Sequence, residues 1–443
     1  MIKRILYFLV ACSLFVCACG CNGEEKRKGG SVVSGFDLPN YDTTRHIMTY
    51  ADFPPQPTSE GLDLYKSCGF NTYFLDLNYF GNGNDGFDLN KYFDMVKTVG
   101  QKGMDVLIHG GSSFYNGIDF SEYDNIAGFV IMDEPSADQF DSVYENSVTW
   151  INNGKQDHLF YINLFPSYAS SSLGVYPGGG KSAYENYVDL YYDKVLSKVK
   201  GKKQIGFDHY PLKKRSGTYY LSDTYLYDMM TVAQTAKKAK ADTFSNCVQA
   251  FSDGETRLPE TAAEISFQLY TALAFGVNAF EVFIYMPSAL YGAMLKDGKP
   301  TATWYAVQEA LKTIDAFDEI YMNFTWNGVE TFFGTSNPED AYTAHFDYIS
   351  KNVIDLPGIK EATCTQDTVI GGFNDKFGNN GYMIVNYTDP MNNKFDKVEI
   401  EFENVKKVAV YKEGIETKYS ISGNKLSFTL IPGEGAFVIT FDK

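Results

Sequence analysis

Eight short runs of β-branched and aromatic residues alternate with helical patterns between residues 46 and 287 of this 443-residue chain. Consecutive strands that are joined by helices lie parallel in one sheet, because a parallel pair needs a long crossover connection. Eight such units over roughly 280 residues predict a (β/α)8 TIM barrel. The predicted strands cover residues 46–53, 70–80, 105–111, 126–135, 159–166, 204–211, 243–254 and 279–287.

The segments between these runs carry helix signals. In residues 89–99, apolar side chains recur at helical spacing, and Gly100 follows. Pro259 opens another predicted helix that Gly276 closes, which is the usual asymmetry of helix ends. Further helices are predicted over residues 59–68, 183–199 and 301–317.

The pattern changes after Asn323. Apolar and polar residues there alternate with a period of two, and turn residues separate the runs, which predicts a small antiparallel β-sandwich. The chain therefore divides into a leader (1–21), a flexible tether (22–39), a barrel (40–325) and a sandwich (326–443). The clearest sandwich strands are residues 382–389, 397–403, 407–414 and 425–432.

The N-terminal residues have the composition of a secretion signal. Lys3 and Arg4 precede an apolar run over 5–18, which is short for a membrane span. Cys19 follows Ala18 and Cys21 follows Gly20, as in the lipobox of bacterial lipoproteins. We therefore expect a lipid anchor at Cys19 or Cys21 and a location at the bacterial outer membrane or cell surface. The three later cysteines stand in apolar contexts typical of buried thiols.

Charge and motifs exclude several classes of ligand. The formal net charge is −17 and no basic stripe is visible, so nucleic acid is not an expected partner. The segment 81–86 matches a dinucleotide fingerprint but lacks its acidic residue, and 177–182 lacks the first glycine of a phosphate loop. The histidines show no metal-binding spacing. We expect no nucleotide, cofactor or metal ion.

Polar side chains gather where the predicted strands end, which is the end of a barrel that carries active sites. Carboxylates, amides and tyrosines dominate and cations are few, which suits a neutral glycan. Asp52, Glu134, Asp208 and Asp253 belong to this set. The side chains expected to bind the substrate are Tyr50, Asp76, His109, Asp133, Asn163, His209, Tyr210, Gln249 and Tyr285.

Cleavage of a glycosidic bond needs two carboxyl groups, one protonated and one ionised. Glu134 follows the apolar run 126–132, so it leaves a dry barrel wall next to the charge of Asp133. Both burial and that charge raise the pKa of a carboxyl group. Glu134 is therefore the candidate general acid.

Several segments resemble a group of bacterial barrel glycosidases near clan A, which includes the family 42 β-galactosidase type. They are IAGFVIMDEP, YINLFPSYAS, FDHYPL, the stretch from Arg257 to Ser288, residues 295–315 and the C-terminal NYTDP, VAVYKEG and PGEGAFVI. In clan A an Asn-Glu pair ends the fourth strand, and its Glu is the acid/base. Glu134 matches that Glu, whereas Asp133 stands where the Asn is usual.

The seventh strand departs from the clan A pattern. The clan has a nucleophilic Glu there, but this chain has Gln249, with Asp253 and Glu255 only in the following loop. Asp208, at the end of the sixth strand, is therefore the expected partner of Glu134, and Asp253 and Glu255 are the alternatives. His209 is a candidate to orient Asp208.

Three further charged residues lie near apolar runs and are interpreted as structural: Arg257, Glu264 and Glu281. The predicted function is a glycoside hydrolase that acts on an extracellular poly- or oligosaccharide. The alternative is a non-catalytic, glycan-binding surface lipoprotein on a degenerate barrel, which the Gln at strand seven favours.

We expect the mature protein to begin at a lipidated Cys19 or Cys21 and to partition with membranes, because an acyl anchor adds apolar surface that water excludes. Mass spectrometry of the N-terminal peptide from the native host measures this. A Cys19→Ser, Cys21→Ser double variant serves as the control and should stay in the aqueous fraction. An unmodified N-terminus on the native protein would contradict the assignment.

Overall fold

The structure is a computed structural model, and it describes most of the chain. The leader with Cys19 and Cys21 and the glycine-rich segment 81–86 lie outside the described residues. The described residues are 30–32, 36–76, 88–286, 292, 294–336, 342–352, 356–421 and 423–442.

Eight parallel strands form a barrel, as the alternating pattern predicted. Each is paired in parallel with the next around the sheet, in the order β1-β8-β7-β6-β5-β4-β3-β2. Met48 of β1 is paired with Ala279 of β8, and the Asn71 N–H donates to the Thr49 carbonyl at 3.1 Å where β2 meets β1. The strands are β1 Met48–Ala51, β2 Thr72–Leu75, β3 Asp105–His109, β4 Ile126–Asp133, β5 Leu159–Leu164, β6 Gln204–Asp208, β7 Thr243–Gln249 and β8 Ala279–Phe283.

Helices surround the barrel, and several begin at a side chain that accepts a backbone N–H. Thr58, Asp88, Ser182, Thr261 and Thr301 are such caps. No described helix is both long enough and apolar enough to cross a membrane. The α-helices are α1 Ser59–Ser67, α2 Leu89–Gln101, α3 Ser112–Tyr115, α4 Phe140–Val143, α5 Thr149–Ile151, α6 Ala183–Lys194, α7 Tyr225–Ala239, α8 Ala262–Ala274, α9 Ala302–Asp315, α10 Asp318–Tyr321 and α11 Thr343–Lys351.

Large side chains fill the barrel interior. They come from alternate positions of the strands, because successive strand residues point to opposite faces. Because the interior is packed, a ligand can bind only at an end of the barrel. The C-terminal ends of the strands and the loops that follow them form the upper end, which we call the mouth. The interior cluster consists of Tyr50, Phe74, Leu107, Val130 and Tyr161.

A β-sandwich follows the barrel, in agreement with the period-two pattern. One sheet has the order 30–32, β15, β14, β17, β12, β11, β9, and the other has the order β10, β13, β16. The strands are β9 Phe324–Phe332, β10 Ile359–Cys364, β11 Thr368–Asp375, β12 Asn380–Asn386, β13 Asp396–Phe402, β14 Lys407–Lys412, β15 Ile415–Ile421, β16 Lys425–Leu430 and β17 Gly435–Phe441.

One boundary predicted from the sequence is wrong in part. Residues 30–32 fall within the predicted flexible tether 22–39, but they pair antiparallel with β15, and Gly30 lies opposite Ile421. A strand at the edge of a sheet can pair through its backbone alone, without an alternating pattern of apolar side chains. The polar, glycine-rich composition of this segment therefore did not predict a strand.

A buried ion pair joins the barrel to the sandwich. The Arg257 guanidinium, in the loop after β7, donates to both oxygens of Asp389 at 2.6 and 2.7 Å and to Glu264 at 2.9 Å. The side chains of all three are less than a tenth exposed. The structural interpretation of Arg257 and Glu264 is thereby confirmed, with Asp389 as a partner that the sequence did not indicate.

We expect Asp389→Ala to reduce the free energy of unfolding by about 3–5 kcal/mol, because it leaves a buried guanidinium with half of its partners. The matched control is Asp141→Ala, which removes the partner of Lys194 at the surface and should cost about 0–1 kcal/mol. Urea unfolding of both variants measures the difference. Equal losses would show that the buried pair does not hold the two parts together.

Candidate active site

Three consecutive strands bring two carboxylates to one amide. Asp133 ends β4, Asp208 ends β6, and Asn163 stands on β5 between them. The Asn163 amide nitrogen donates to Asp133 at 3.1 Å and also to Asp208. Two hydrogen bonds to one atom place the nearest oxygens of the carboxylates within about 6 Å of each other. The predicted convergence of these three residues is therefore present in the structure.

Glu134 occupies a strained backbone position next to Asp133. Its φ is +45°, in the left-handed region, where a residue with a Cβ costs about 1–3 kcal/mol. An irregularity in the pairing of β4 with β5, between Val130 and Met132, precedes it, and such bulges re-aim side chains. The Glu134 N–H donates to the Asn163 carbonyl at 2.9 Å, which fixes this turn.

The neighbouring carboxyl groups hold protons to different extents. Burial, and then the charges of Asp208 and Asp133, raise the pKa of Glu134 to about 8. Burial and the charge of Asp133 raise the pKa of Asp208 to about 7, against hydrogen bonds from Asn163 and Tyr210. The residue Asp133 is open to the mouth, but the surrounding protein shields its carboxyl group from part of the bulk water, and this shielding raises its pKa as well. Glu134 is thus largely protonated at neutral pH.

Glu281 lies inside the barrel, although the sequence favoured a purely structural role. It accepts hydrogen bonds from the Tyr50 and Tyr161 hydroxyls at 2.9 and 3.0 Å. Burial raises its pKa well above the usual range, and the charges of Asp52 and Asp208 add to this effect. The available signal was the alternation of β8, which points Glu281 and Phe283 to the face opposite Phe280.

Asp52 extends the acidic group past the end of β1. Its carboxylate accepts from the Phe53 N–H at 2.8 Å. Burial, together with the charges of Asp76, Asp133 and Asp208, raises the pKa of Asp52 to about 8. The mouth therefore carries a second group that is protonated at neutral pH.

Asp76 and His109 form a pair across the ends of β2 and β3. The Nδ1 atom of His109 lies 2.7 Å from an oxygen of Asp76. Both side chains are about one-fifth exposed, so they remain open to the mouth. These two predicted substrate ligands lie where the sequence placed them.

An aromatic wall stands beside Asp208. The Tyr210 hydroxyl donates to Asp208 at 2.8 Å, and the Tyr210 ring packs edge-on against Phe251 with centroids 4.7 Å apart. Phe283 contacts both rings. Apolar walls of this kind around a few polar groups are typical of ligand sites.

His209 does not orient Asp208, so that expectation is wrong. Its Nδ1 pairs with Asp228 at 2.6 Å, its Nε2 pairs with the Ser222 hydroxyl at 2.7 Å, and the side chain is fully buried. Successive residues of an extended chain point to opposite sides, so Asp208 and His209 diverge. His209 is thereby removed from the substrate ligands of this site.

Gln249 and Tyr285 are also corrected. Gln249 is fully buried; its amide accepts from the Leu212 N–H and donates to the Leu212 and Arg257 carbonyls. It therefore holds two loops together instead of facing a substrate. Tyr285 is buried against Tyr65, with ring centroids 5.2 Å apart. Tyr50 is buried too, and it reaches the site only through Glu281.

Asp253 and Glu255, the alternative partners, belong to a turn after β7. Asp253 accepts from the N–H groups of Glu255 and Thr256 and from the Thr256 hydroxyl. Despite partial burial, these bonds lower the pKa of Asp253. Its carboxylate thus serves the turn, and Glu255 is exposed beside it.

This arrangement is chemically suited to acid–base work. Among the described residues, no three His, Cys, Asp or Glu side chains converge so that they could hold a metal ion. Carboxyl groups with raised pKa values, Glu134 among them, lie near Asp208, whose ionised form accepts hydrogen bonds from Asn163 and Tyr210. Acid-catalysed displacement requires a protonated and an ionised carboxyl group together.

No protein-family model and no curated protein matches the chain. Solved structures with a similar arrangement include α-galactosidase I from Mortierella vinacea, with 10% identity over 92% of this chain and 99% of that one, at a TM-score of 0.46. The α-galactosidase from Saccharomyces cerevisiae with raffinose is 9% identical over 91% and 100%, at 0.42. A β-L-arabinopyranosidase from Geobacillus stearothermophilus is 10% identical over 90% and 97%, at 0.39. Similarity at this level leaves the roles of residues to be argued from the site itself.

We expect Glu134→Gln to gain stability over the wild type as the pH rises. The folded protein keeps the Glu134 proton to about pH 8, whereas a free glutamate loses it near 4.5. The wild type therefore loses free energy of unfolding between these values, and glutamine cannot titrate. Urea unfolding measures the free energy of unfolding of both proteins. The difference between variant and wild type should be larger at about pH 8.5 than at about pH 5 by at least about 1 kcal/mol.

Glu145→Gln, at an exposed position, is the matched control and should show no pH-dependent gap. A constant difference between Glu134→Gln and the wild type would show that Glu134 ionises normally.

Proposed function

We propose that this chain is a glycoside hydrolase in which Glu134 is the general acid and Asp208 is the base or nucleophile. The observation that carries the proposal is the placement of Glu134 and Asp208 at one barrel mouth, beside a shared Asn163. The Glu134 N–H donates to the Asn163 carbonyl and the Asn163 amide donates to Asp208, so both residues contact the same residue of β5.

Neighbouring groups support the division of roles. A general acid must hold a proton while its partner is ionised. Burial and the charges of Asp208 and Asp133 raise the pKa of Glu134, which favours its protonated form. The Tyr210 hydroxyl and the Asn163 amide, which both donate to Asp208, favour its ionised form.

The surroundings favour a neutral sugar as the substrate. In the described part of the chain, lysine and arginine form no ion pair with Glu134, Asp133, Asp208 or Glu281, and the negative charge of this acidic cluster would repel an anionic group. Asp76, His109 and Tyr210 offer donors and acceptors for hydroxyl groups, and the aromatic wall offers an apolar face.

The proposal differs from the clan A arrangement at strand seven. Gln249 ends that strand, and its amide is hydrogen-bonded to backbone carbonyl groups. The nearest acid after β7 that could act as the catalytic partner is therefore Asp253 in the following turn. We infer a barrel glycosidase, carried to the cell surface by the lipid anchor, that draws its second carboxylate from β6. An extracellular oligo- or polysaccharide is the corresponding substrate.

We expect Glu134→Gln and Asp208→Asn each to reduce turnover of a cleaved glycoside by about 10²–10⁴-fold, because each removes a proton-transferring or nucleophilic group. Asp253→Asn is the matched control, because this carboxylate accepts three hydrogen bonds within its own turn, and it should retain turnover. A panel of aryl-glycosides and polysaccharides gives the rates.

Normal turnover by Asp208→Asn with loss in Asp253→Asn or Glu255→Gln would transfer the role to the loop. Saturable binding of a glycan by the wild type, without release of any sugar from the panel, would instead support the non-catalytic glycan-binding alternative.

We expect the pH profile of kcat/KM to be a bell whose lower limb is set by Asp208 and whose upper limb is set by Glu134, both at higher pH than free carboxyl groups would give. In Asp133→Asn both limbs should move to lower pH, because a neighbouring negative charge that opposed both ionisations is gone. Initial rates across the pH range measure this. Asp141→Asn, at an exposed position, is the control; limbs that stay in place in Asp133→Asn would contradict the assignment.

A further inference from the structure

We propose that Ser222, His209 and Asp228 form a second hydrolytic site, one that cleaves esters. Asp228 lies 2.6 Å from Nδ1 of His209, and Nε2 of His209 lies 2.7 Å from the Ser222 hydroxyl. The three residues come from different elements: His209 follows β6, Ser222 precedes α7, and Asp228 stands in its first turn. Carboxylate, imidazole and hydroxyl in this order are the parts of a nucleophilic serine site.

The hydrogen bonds set the direction of the protons. The Asp228 oxygen that contacts His209 also accepts from the Ser167 N–H at 2.9 Å, so it acts as an acceptor. An ionised carboxylate can only accept, which places the His209 proton on Nδ1. The lone pair of Nε2 then faces the Ser222 hydroxyl, which must donate. This is the state in which imidazole can take the serine proton.

Ser222 lines a cavity, whereas its partners are shielded from water. The cavity has a volume of about 700 Å³, and Ser170, Tyr168 and Tyr210 also line it. The side chains of His209 and Asp228 are completely buried. Ser222 is itself only 7% exposed, and it is the member of the three that borders the cavity. Exclusion of water preserves the hydrogen bonds that orient the base.

The start of α7 lies next to the nucleophile. This helix begins at Tyr225, and its N-cap residue, Thr224, makes no side-chain capping bond. Thr224 lines the same cavity as Ser222. The Tyr225 N–H donates to the Ser222 carbonyl at 3.3 Å, so the positive end of the helix dipole lies beside Ser222 and would stabilise an oxyanion formed there.

The reaction balances with an ester and water alone. The Ser222 oxygen attacks the ester carbonyl while its proton moves to Nε2 of His209. The C–O bond to the alcohol breaks, the alcohol takes that proton, and an acyl-Ser222 remains. Water then attacks the acyl group and gives a proton to His209, and the carboxylic acid leaves as the proton returns to Ser222.

The position of the cavity indicates the ester. Tyr210 lines it and donates to Asp208, and the ring of Tyr168, another wall, lies 5.0 Å from that of His209. The two sites thus share a wall. This part rests on the proposed glycosidase function: an O-acylated sugar of the same glycan could lose its acyl group here and be cleaved at the barrel mouth.

The experiment uses the full chain with a fluorophosphonate probe and with p-nitrophenyl acetate. We expect one probe molecule per chain, mapped to Ser222 by peptide mass spectrometry. Ser222→Ala should lose the label, and its esterase rate should fall by about 10²-fold or more. Ser170→Ala is the matched control, because it removes another hydroxyl of the same cavity, and it should keep both.

An unlabelled wild type, a label on another residue, or a label that persists in Ser222→Ala would overturn the second site. Labelling of Ser222 in a protein that cleaves no glycoside would leave the ester site standing and remove only the acylated-sugar assignment. The two proposals therefore fail separately.

Discussion

Repulsion among carboxylates withdrawn from water governs the mouth of this barrel. Asp133, Glu134 and Asp208 stand close together, and described lysines and arginines form no ion pair with them. Such a group can persist only if protons are retained and polar neighbours solvate the remaining charge. Asn163 provides that solvation for two carboxylates with one nitrogen, and Tyr210 adds a hydroxyl. Uneven sharing of protons lets the fold tolerate this cluster, and the proposed acid–base role depends on the same property.

The rest of the upper barrel is arranged to keep this geometry. The hydrogen bond from the Glu134 N–H to the Asn163 carbonyl fixes the strained backbone at Glu134. The proposed acid is therefore held in place by β5. On the other side, Gln249 ties the loops after β6 and β7 together. Arg257 then fixes the second loop to the sandwich through Asp389. The sandwich thus contributes to the site by holding a loop, without supplying a group to it.

The segment after β6 serves both proposed sites. Asp208 and Tyr210 point to the barrel mouth, and His209 between them points to Ser222 and Asp228. Alternation along an extended chain produces this division without any special motif. The two proposed sites would then act on one glycan and share Tyr210 as a wall. His209 is buried on the side away from the carboxylate cluster.

The sequence by itself determined the barrel, the sandwich and the strand ends that carry the acids, because hydrophobic periodicity and chain order depend on local spacing. It also placed Glu134, Asp133, Asn163 and Asp208 together, since the ends of parallel strands meet at one edge.

Only the tertiary structure decided which polar residues face the mouth. Gln249 and His209 have the right position along the chain, but their side chains are consumed by partners distant in sequence, whereas Glu281 enters the barrel through pairing with Tyr50 and Tyr161. The direction and proton occupancy of a side chain depend on those distant partners and on burial, neither of which is encoded in the local pattern.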